Sequence, residues 1–156
     1  MDVRIIPFSV EQSAMFSSLN REWLQQYFTL EPVDQTLLSN PKKEIIDSGG
    51  LIFFAEYQDE IVGTAALLFH EEGIFELGKM AVTKRVQGIG IGALLLEHCI
   101  ATAKSLRAKK LILYSNTILA SAIHLYKKFG FVEVPLTESN YKRSNIKMEI
   151  QLHPTL

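Results

Sequence analysis

The chain has 156 residues, 47% of them hydrophobic, and a formal net charge of −1. That suits one domain, residues 1–156, with a buried core, and the balanced charge excludes an electrostatic case for binding nucleic acid or a membrane surface. No stretch reaches the ~20 apolar residues of a membrane span, the start MDVRIIPFSV lacks the apolar core of a secretory signal, and the single cysteine, Cys99, excludes an intrachain disulfide framework; the expected location is cytoplasmic.

Val3 to Phe8 is a short strand ended by Pro7. Ser9 is placed to cap the next helix, with Gln12 at the reciprocal capping-box position. That helix runs to about Tyr27, with Ala14, Met15, Leu19, Trp23 and Phe28 at roughly helical spacing. Glu31-Pro32 interrupts it. A second helical region covers about Val33 to Asp47, broken near Asn40-Pro41, and Gly49-Gly50 marks a turn. Leu51–Tyr57 and Ile61–Phe69 form a hairpin around Gln58-Asp59-Glu60. After the turn His70–Gly73, Ile74 to Val82 is a third antiparallel strand.

A helix from about Gly90 to Arg107 follows, with Leu95, Cys99, Ala103 and Leu106 on one face. The chain then enters the strand Leu111–Ser115, a βαβ step, so that strand lies parallel to Ile74–Val82. The next helix, Leu119 to Phe129, turns Ala122, Leu125, Tyr126 and Phe129 inward, and Gly130 ends it. Phe131–Val134 and Ile146–Leu152 close the sheet as a hairpin with a long loop. The pattern is α+β: a mixed sheet, antiparallel first, with helices on both faces.

Between strand and helix lies Gln87-Gly88-Ile89-Gly90-Ile91-Gly92-Ala93. Alternating glycines bare the backbone where a helix begins, and the unpartnered N–H groups there suit a phosphate. Gly88 to Ala93 fits the dinucleotide fingerprint G-x-G-x-x-A. That motif also needs an acid about 20 residues on, at the end of the next strand. This chain has Asn116 there, and the loop sits mid-chain.

Framed as Gln87-x-x-Gly90-x-Gly92, the loop resembles the Q/R-x-x-G-x-G/A signature of the GCN5-related N-acetyltransferases, the GNAT superfamily. Glu76 to Val82 resembles that family's fourth strand, and Ala122 to Phe131 resembles its A-x-x-L-Y-x-K-x-G-F segment. The likeness extends from about Gly50 to Val134. It implies a GNAT-like, mostly antiparallel seven-stranded sheet whose parallel strands splay in the middle. It also implies acetyl-CoA as co-substrate; from residue spacing alone, no metal is expected. Met80, Ala81 and Val82 would then offer backbone groups to the pantetheine arm and the acyl oxygen. Amides of Gln87, Gly88, Ile89, Gly90, Ile91, Gly92 and Ala93 would hold the pyrophosphate. Asn116 would contact the cofactor or the chain end, although Leu119 stands where a common family form has its asparagine.

The implied reaction moves acetyl to a primary amine of a small-molecule or amino-acid-like acceptor by direct attack in a ternary complex. An alkyl ammonium has a pKa of about 10.4, so a base must take its proton. Glu76, entering the loop on its strand, is the candidate; its alternation with Lys79 suggests a bulge between them. Tyr126 matches the family tyrosine that faces the sulfur, and its phenol can donate to the leaving thiolate. Trp23, Tyr27 and Phe28 are candidate walls of the acceptor pocket, along with the loop Pro135 to Asn145. Glu22 or Asp34 could draw an amine. His70, His98, His124 and His153 show no metal-ligand spacing. Alternatives are an acyl-CoA-binding sensor without turnover and a protein N-acetyltransferase; a homodimer is possible.

Overall fold

The structure is a computed structural model and describes residues 2–152, so His153 lies outside the described residues. In chain order it contains β1 (Val3–Pro7), α1 (Ser13–Tyr27), α2 (Pro32–Ser39), β2 (Leu51–Tyr57), β3 (Glu60–Glu71), β4 (Ile74–Val82), α3 (Ile91–Ser105), β5 (Lys110–Ser115), α4 (Ala120–Lys128), β6 (Val132–Val134) and β7 (Ile146–Gln151). The strands form one seven-stranded sheet in the order β1-β2-β3-β4-β5-β7-β6. Among the described residues, only β4 and β5 pair in parallel; every other pairing is antiparallel. This is the α+β, GNAT-like architecture expected from the sequence. No helix among the described residues is long and apolar enough to cross a membrane.

Alternation along the strands sends neighbouring residues to opposite faces and builds two cores. On one face Leu95, Leu96, Cys99 and Ala103 of α3 pack on Phe53, Ala65, Leu67 and Leu77. On the other, Phe16 and Leu24 of α1 and Leu38 of α2 pack on Ile52, Phe54 and Ala66. Burying each such leucine or phenylalanine contributes about 1.5–3 kcal/mol.

One local expectation is corrected. Ser9 does not cap α1: a 3-10 turn, Val10–Gln12, comes first, and the Ser9 hydroxyl donates to the Glu11 carboxylate instead. A charged acceptor two residues away competes better than a backbone group. The reciprocal cap forms at α2, where Glu31 precedes Pro32 and its N–H donates to Asp34 Oδ2 at 2.8 Å. The second helical region breaks at Asn40-Pro41, as expected. α2 ends at Ser39, and Lys42–Ile46 is a separate wide turn. Pro41 has no N–H with which to continue α2.

The feature that positions the site lies at the sheet's centre. The parallel ladder contains only Ile74–Lys110, Phe75–Leu111 and Glu76–Ile112. Beyond it β5 stays with β7, where Tyr114 pairs with Lys147 and Ser115 with Ile146. β4 stays with β3, but Lys79 and Met80 together oppose one residue, Ala65. Lys79 adopts φ +50°, the left-handed conformation of a bulge. The bulge turns β4 away from β5 and opens a wedge between them.

Candidate active site

The wedge holds two connected chambers. The outer groove is lined by Met80, Ala81, Val82, Gln87, Gly88, Gly90, Ile91 and Gly92, and across from them by Ser121, Ala122 and Leu125. The inner chamber is lined by Glu76, Lys79, Tyr114, Asn116 and Tyr126, with Trp23, Phe28, Tyr141 and Arg143. Trp23, Met80 and Leu119 border both. The structure therefore gathers the expected loop and strand residues in one groove and the expected acid and base in the chamber behind it. Ile89 and Ala93 line neither; Ile89 is 42% exposed on the outer side of the loop.

The groove fits a diphosphate. Gly88 and Gly90 adopt φ +86° and +96°, which side chains disfavour. Gly90 is the N-cap of α3, so its N–H and those of Ile91, Gly92 and Ala93 lack intrahelical partners. Gln87 folds its amide back to donate to the Val82 carbonyl at 2.9 Å, fastening the loop to the strand end. A Cβ placed on Gly92 would meet nothing within 4 Å, so the space above the helix start is open. Free amides, a helix dipole and open space together make an anion cradle.

Glu76 sits opposite Leu68 on β3 and is 3% exposed. Its Oε1 lies 2.7 Å from His70 Nε2, and this contact raises the His70 imidazole above its ordinary value. Tyr126 packs its ring on Phe131, centroids 5.9 Å apart. Burial pushes its hydroxyl up to about 12. Carboxylate and phenol line the same chamber from β4 and α4.

Beside them lies an ion cluster absent from the sequence reading. Asp34 is 0% exposed. Its Oδ1 accepts from Lys79 Nζ at 2.6 Å and from Arg143 Nη2 at 2.9 Å, and its Oδ2 accepts from Arg143 Nη1 at 2.7 Å. Arg143 also donates to Glu31 Oε2 at 3.1 Å. Both cations lie over the Tyr141 ring, at 4.7 and 4.6 Å. Burial pushes the Asp34 carboxyl up, but the bonds from Arg143 and Lys79 outweigh it and hold it at about 2. Lys79, a charged residue inside an apolar strand, was the one visible trace of this cluster; Arg143, in a loop, carried none.

The cluster corrects the expectation that Asp34 or Glu22 stands free to draw an amine. Asp34 is fully engaged. Glu22 accepts from Thr83 Oγ1 at 3.0 Å and from the Lys84 N–H at 3.2 Å. Trp23 and Phe28 do wall the inner chamber, while Tyr27 borders the outer groove. Asn116 spends its amide on loop structure, donating to the Arg143 carbonyl at 2.7 Å and accepting from the Ile118 N–H at 3.0 Å. Tyr141 and Arg143 bring the long loop of residues 135–145 over the chamber. Among the described residues, no group of three or more His, Cys, Asp or Glu sits together as a metal cluster.

Comparison with known proteins agrees with this geometry. A solved acetyltransferase of the GNAT family from Staphylococcus aureus Mu50 is similar with a TM-score of 0.86 at 23% identity, covering 97% of this chain and 100% of that one. A putative acetyltransferase, yncA, from Salmonella typhimurium, solved with its cofactor acetyl-CoA, is similar with a TM-score of 0.78 at 17% identity, covering 100% and 97%. An uncharacterized N-acetyltransferase of Schizosaccharomyces pombe is 28% identical over 121 residues, 74% of each chain. The model of the Acetyltransferase (GNAT) family matches residues 14–131, the span that builds both walls of the wedge and the glycine loop. The chain therefore belongs to the acetyltransferase (GNAT) family and is an acyltransferase.

Proposed function

We propose that this protein transfers the acetyl group of acetyl-CoA to a primary amine of a small-molecule or amino-acid-like acceptor, by direct attack in a ternary complex. The observation that carries the reading is the meeting of Glu76 and Tyr126 in one chamber that opens into the glycine-loop groove. The amides of Gly88 to Ala93 would hold the diphosphate, the Gln87 N–H being spent on the Lys84 carbonyl, and the groove between β4 and α4 would take the pantetheine arm. When bound, acetyl-CoA supplies an activated thioester.

The chain's own groups do the rest. Glu76 takes a proton from the entering ammonium, leaving a nucleophilic amine. The segment Ala81–Val82, unpaired on its β5 side, offers backbone donors where charge develops on the acyl oxygen. Tyr126 donates to the departing sulfur. With its hydroxyl at about 12 it stays a donor across the working pH range. Lys79 and Arg143, neutralised by Asp34 and Glu31, do not repel an incoming ammonium as free cations would.

The test is free-thiol release from acetyl-CoA across a panel of amines. Amine-dependent release is expected. Tyr126→Phe and Glu76→Gln are expected to lower kcat by about 100-fold, the usual scale of a lost acid or base, with acetyl-CoA binding retained. Acetyl-CoA binding without release on any small amine would favour a sensor or a protein acceptor. A protein that failed to bind acetyl-CoA would overturn the reading.

A further inference from the structure

His70 lies two residues beyond Leu68, the cross-strand partner of Glu76, and so shares its face of the sheet as a diagonal neighbour. The β3–β4 register slips between Phe69 and Glu71, placing His70 at a second bulge. Bulges re-aim side chains, and this one sits where the ring meets Glu76 at 2.7 Å. The His70 side chain is 33% exposed and that of Glu76 only 5%. The imidazole thus reaches the buried carboxylate from its more exposed side, and His70 is not among the residues lining the chamber. The other charged groups facing it are Glu71 on its own strand and Lys147 on β7. Lys79, Tyr114 and Tyr141 face Glu76 itself.

We propose that His70 is a positioning residue of the reaction: it holds the Glu76 carboxylate toward the inner chamber, and its own protonation sets how strongly Glu76 takes a proton from the amine. The inference rests on Glu76 being the base. With one Glu76 oxygen occupied by the ring, the other is left for the acceptor. A protonated ring favours the carboxylate form and makes Glu76 a weak base. A neutral ring still donates its Nε2 proton, so the geometry persists while the proton affinity of Glu76 rises. Activity should therefore climb with pH as His70 loses its proton. Contact with Glu76 moves that step above the ordinary imidazole value of 6.5.

The experiment uses the full chain, acetyl-CoA and an amine that the wild type acetylates. It compares kcat/KM from pH 5.5 to 9 for wild type, His70→Gln and His70→Ala, with melting curves to confirm folding. His70→Gln keeps an N–H donor but cannot titrate. It is expected to keep KM within about twofold and to lose the acidic limb of the profile. His70→Ala should lose about 100-fold in kcat, the scale of a misplaced catalytic group, and recover part of it with added imidazole. A companion NMR titration should find the His70 ring above its ordinary range in wild type and back within it in Glu76→Gln. A His70→Gln profile that overlays the wild type, or a His70 titration indifferent to Glu76→Gln, overturns the proposal. If Glu76→Gln is inactive while His70→Gln behaves as wild type, only this inference falls. If Glu76→Gln stays fully active, the assignment of the base falls with it.

Discussion

At the scale of single residues, Asp34 shows how much one buried carboxylate can hold. It ties α2 to the β4 bulge through Lys79 and to the loop over the chamber through Arg143. Its carboxyl is held at about 2, below the ordinary 3.8. A lowered carboxyl contributes stability that is present above the unfolded value and lost as pH falls through the folded one. Asp34 should therefore weaken the fold progressively from about pH 4 toward pH 2, seen as a falling urea midpoint. Asp34→Asn leaves Lys79, already disfavoured by burial, without its carboxylate. The expected loss is about 3 kcal/mol at pH 7, the cost of breaking a buried pair, with a flatter acid profile below pH 4. Beyond the odd charge of Lys79 in its strand, none of this was legible from the chain. Asp34 and Arg143 are 109 residues apart, and neither spacing nor periodicity joins a helix start to a loop residue. That Glu76 and Tyr126 would line one chamber was legible because each sits inside a local motif.

At the scale of elements, the glycine loop separates folding from binding. Gly90 caps α3 at φ +96°, whereas Gly92 lies inside the helix with open space above it. Gly90→Ala should cost about 1 kcal/mol, the strain of a left-handed alanine, and lower the melting temperature. Gly92→Val should melt like the wild type, since valine propagates a helix no worse than glycine. Its branched side chain would fill the groove floor and raise KM for acetyl-CoA by about tenfold, the order of 1.4 kcal/mol of lost binding. Steady-state kinetics and melting curves, read together, tell the two apart. Loop, strand and helix were legible here because each depends on neighbours within a few residues. The start of α1 was misplaced for the same reason: Glu11 outcompeted the capping geometry that Ser9 and Gln12 suggested. The bulge left a faint trace in the awkward alternation of Glu76 and Lys79, but its position depends on the β3 register.

At the scale of the molecule, the run β2-β3-β4-β5 followed from the hairpins and the βαβ crossover, while the seat of β7 between β5 and β6 and the extent of the splay did not. How far β4 and β5 remain paired is decided by competing partners, β3 and β7, contributed by distant parts of the chain. Acetyl-CoA at about 100 times its Kd should stabilise the fold by about 2.7 kcal/mol, and NAD, for which the strand end offers no ribose acid, should not. The three residue pairs joining β4 to β5 carry a mechanical consequence. They make a short spine between two leaves, β1–β4 and β5–β7, each internally well laced. Bound in the wedge, the pantetheine arm would act as a strut across the open half of that spine. Amide hydrogen exchange along Leu77–Val82 should then slow markedly with acetyl-CoA present, while exchange at the β2–β3 ladder stays as it was. Release of spent coenzyme becomes a parting of two leaves, and the length of the spine, three pairs and no more, sets how easily they part.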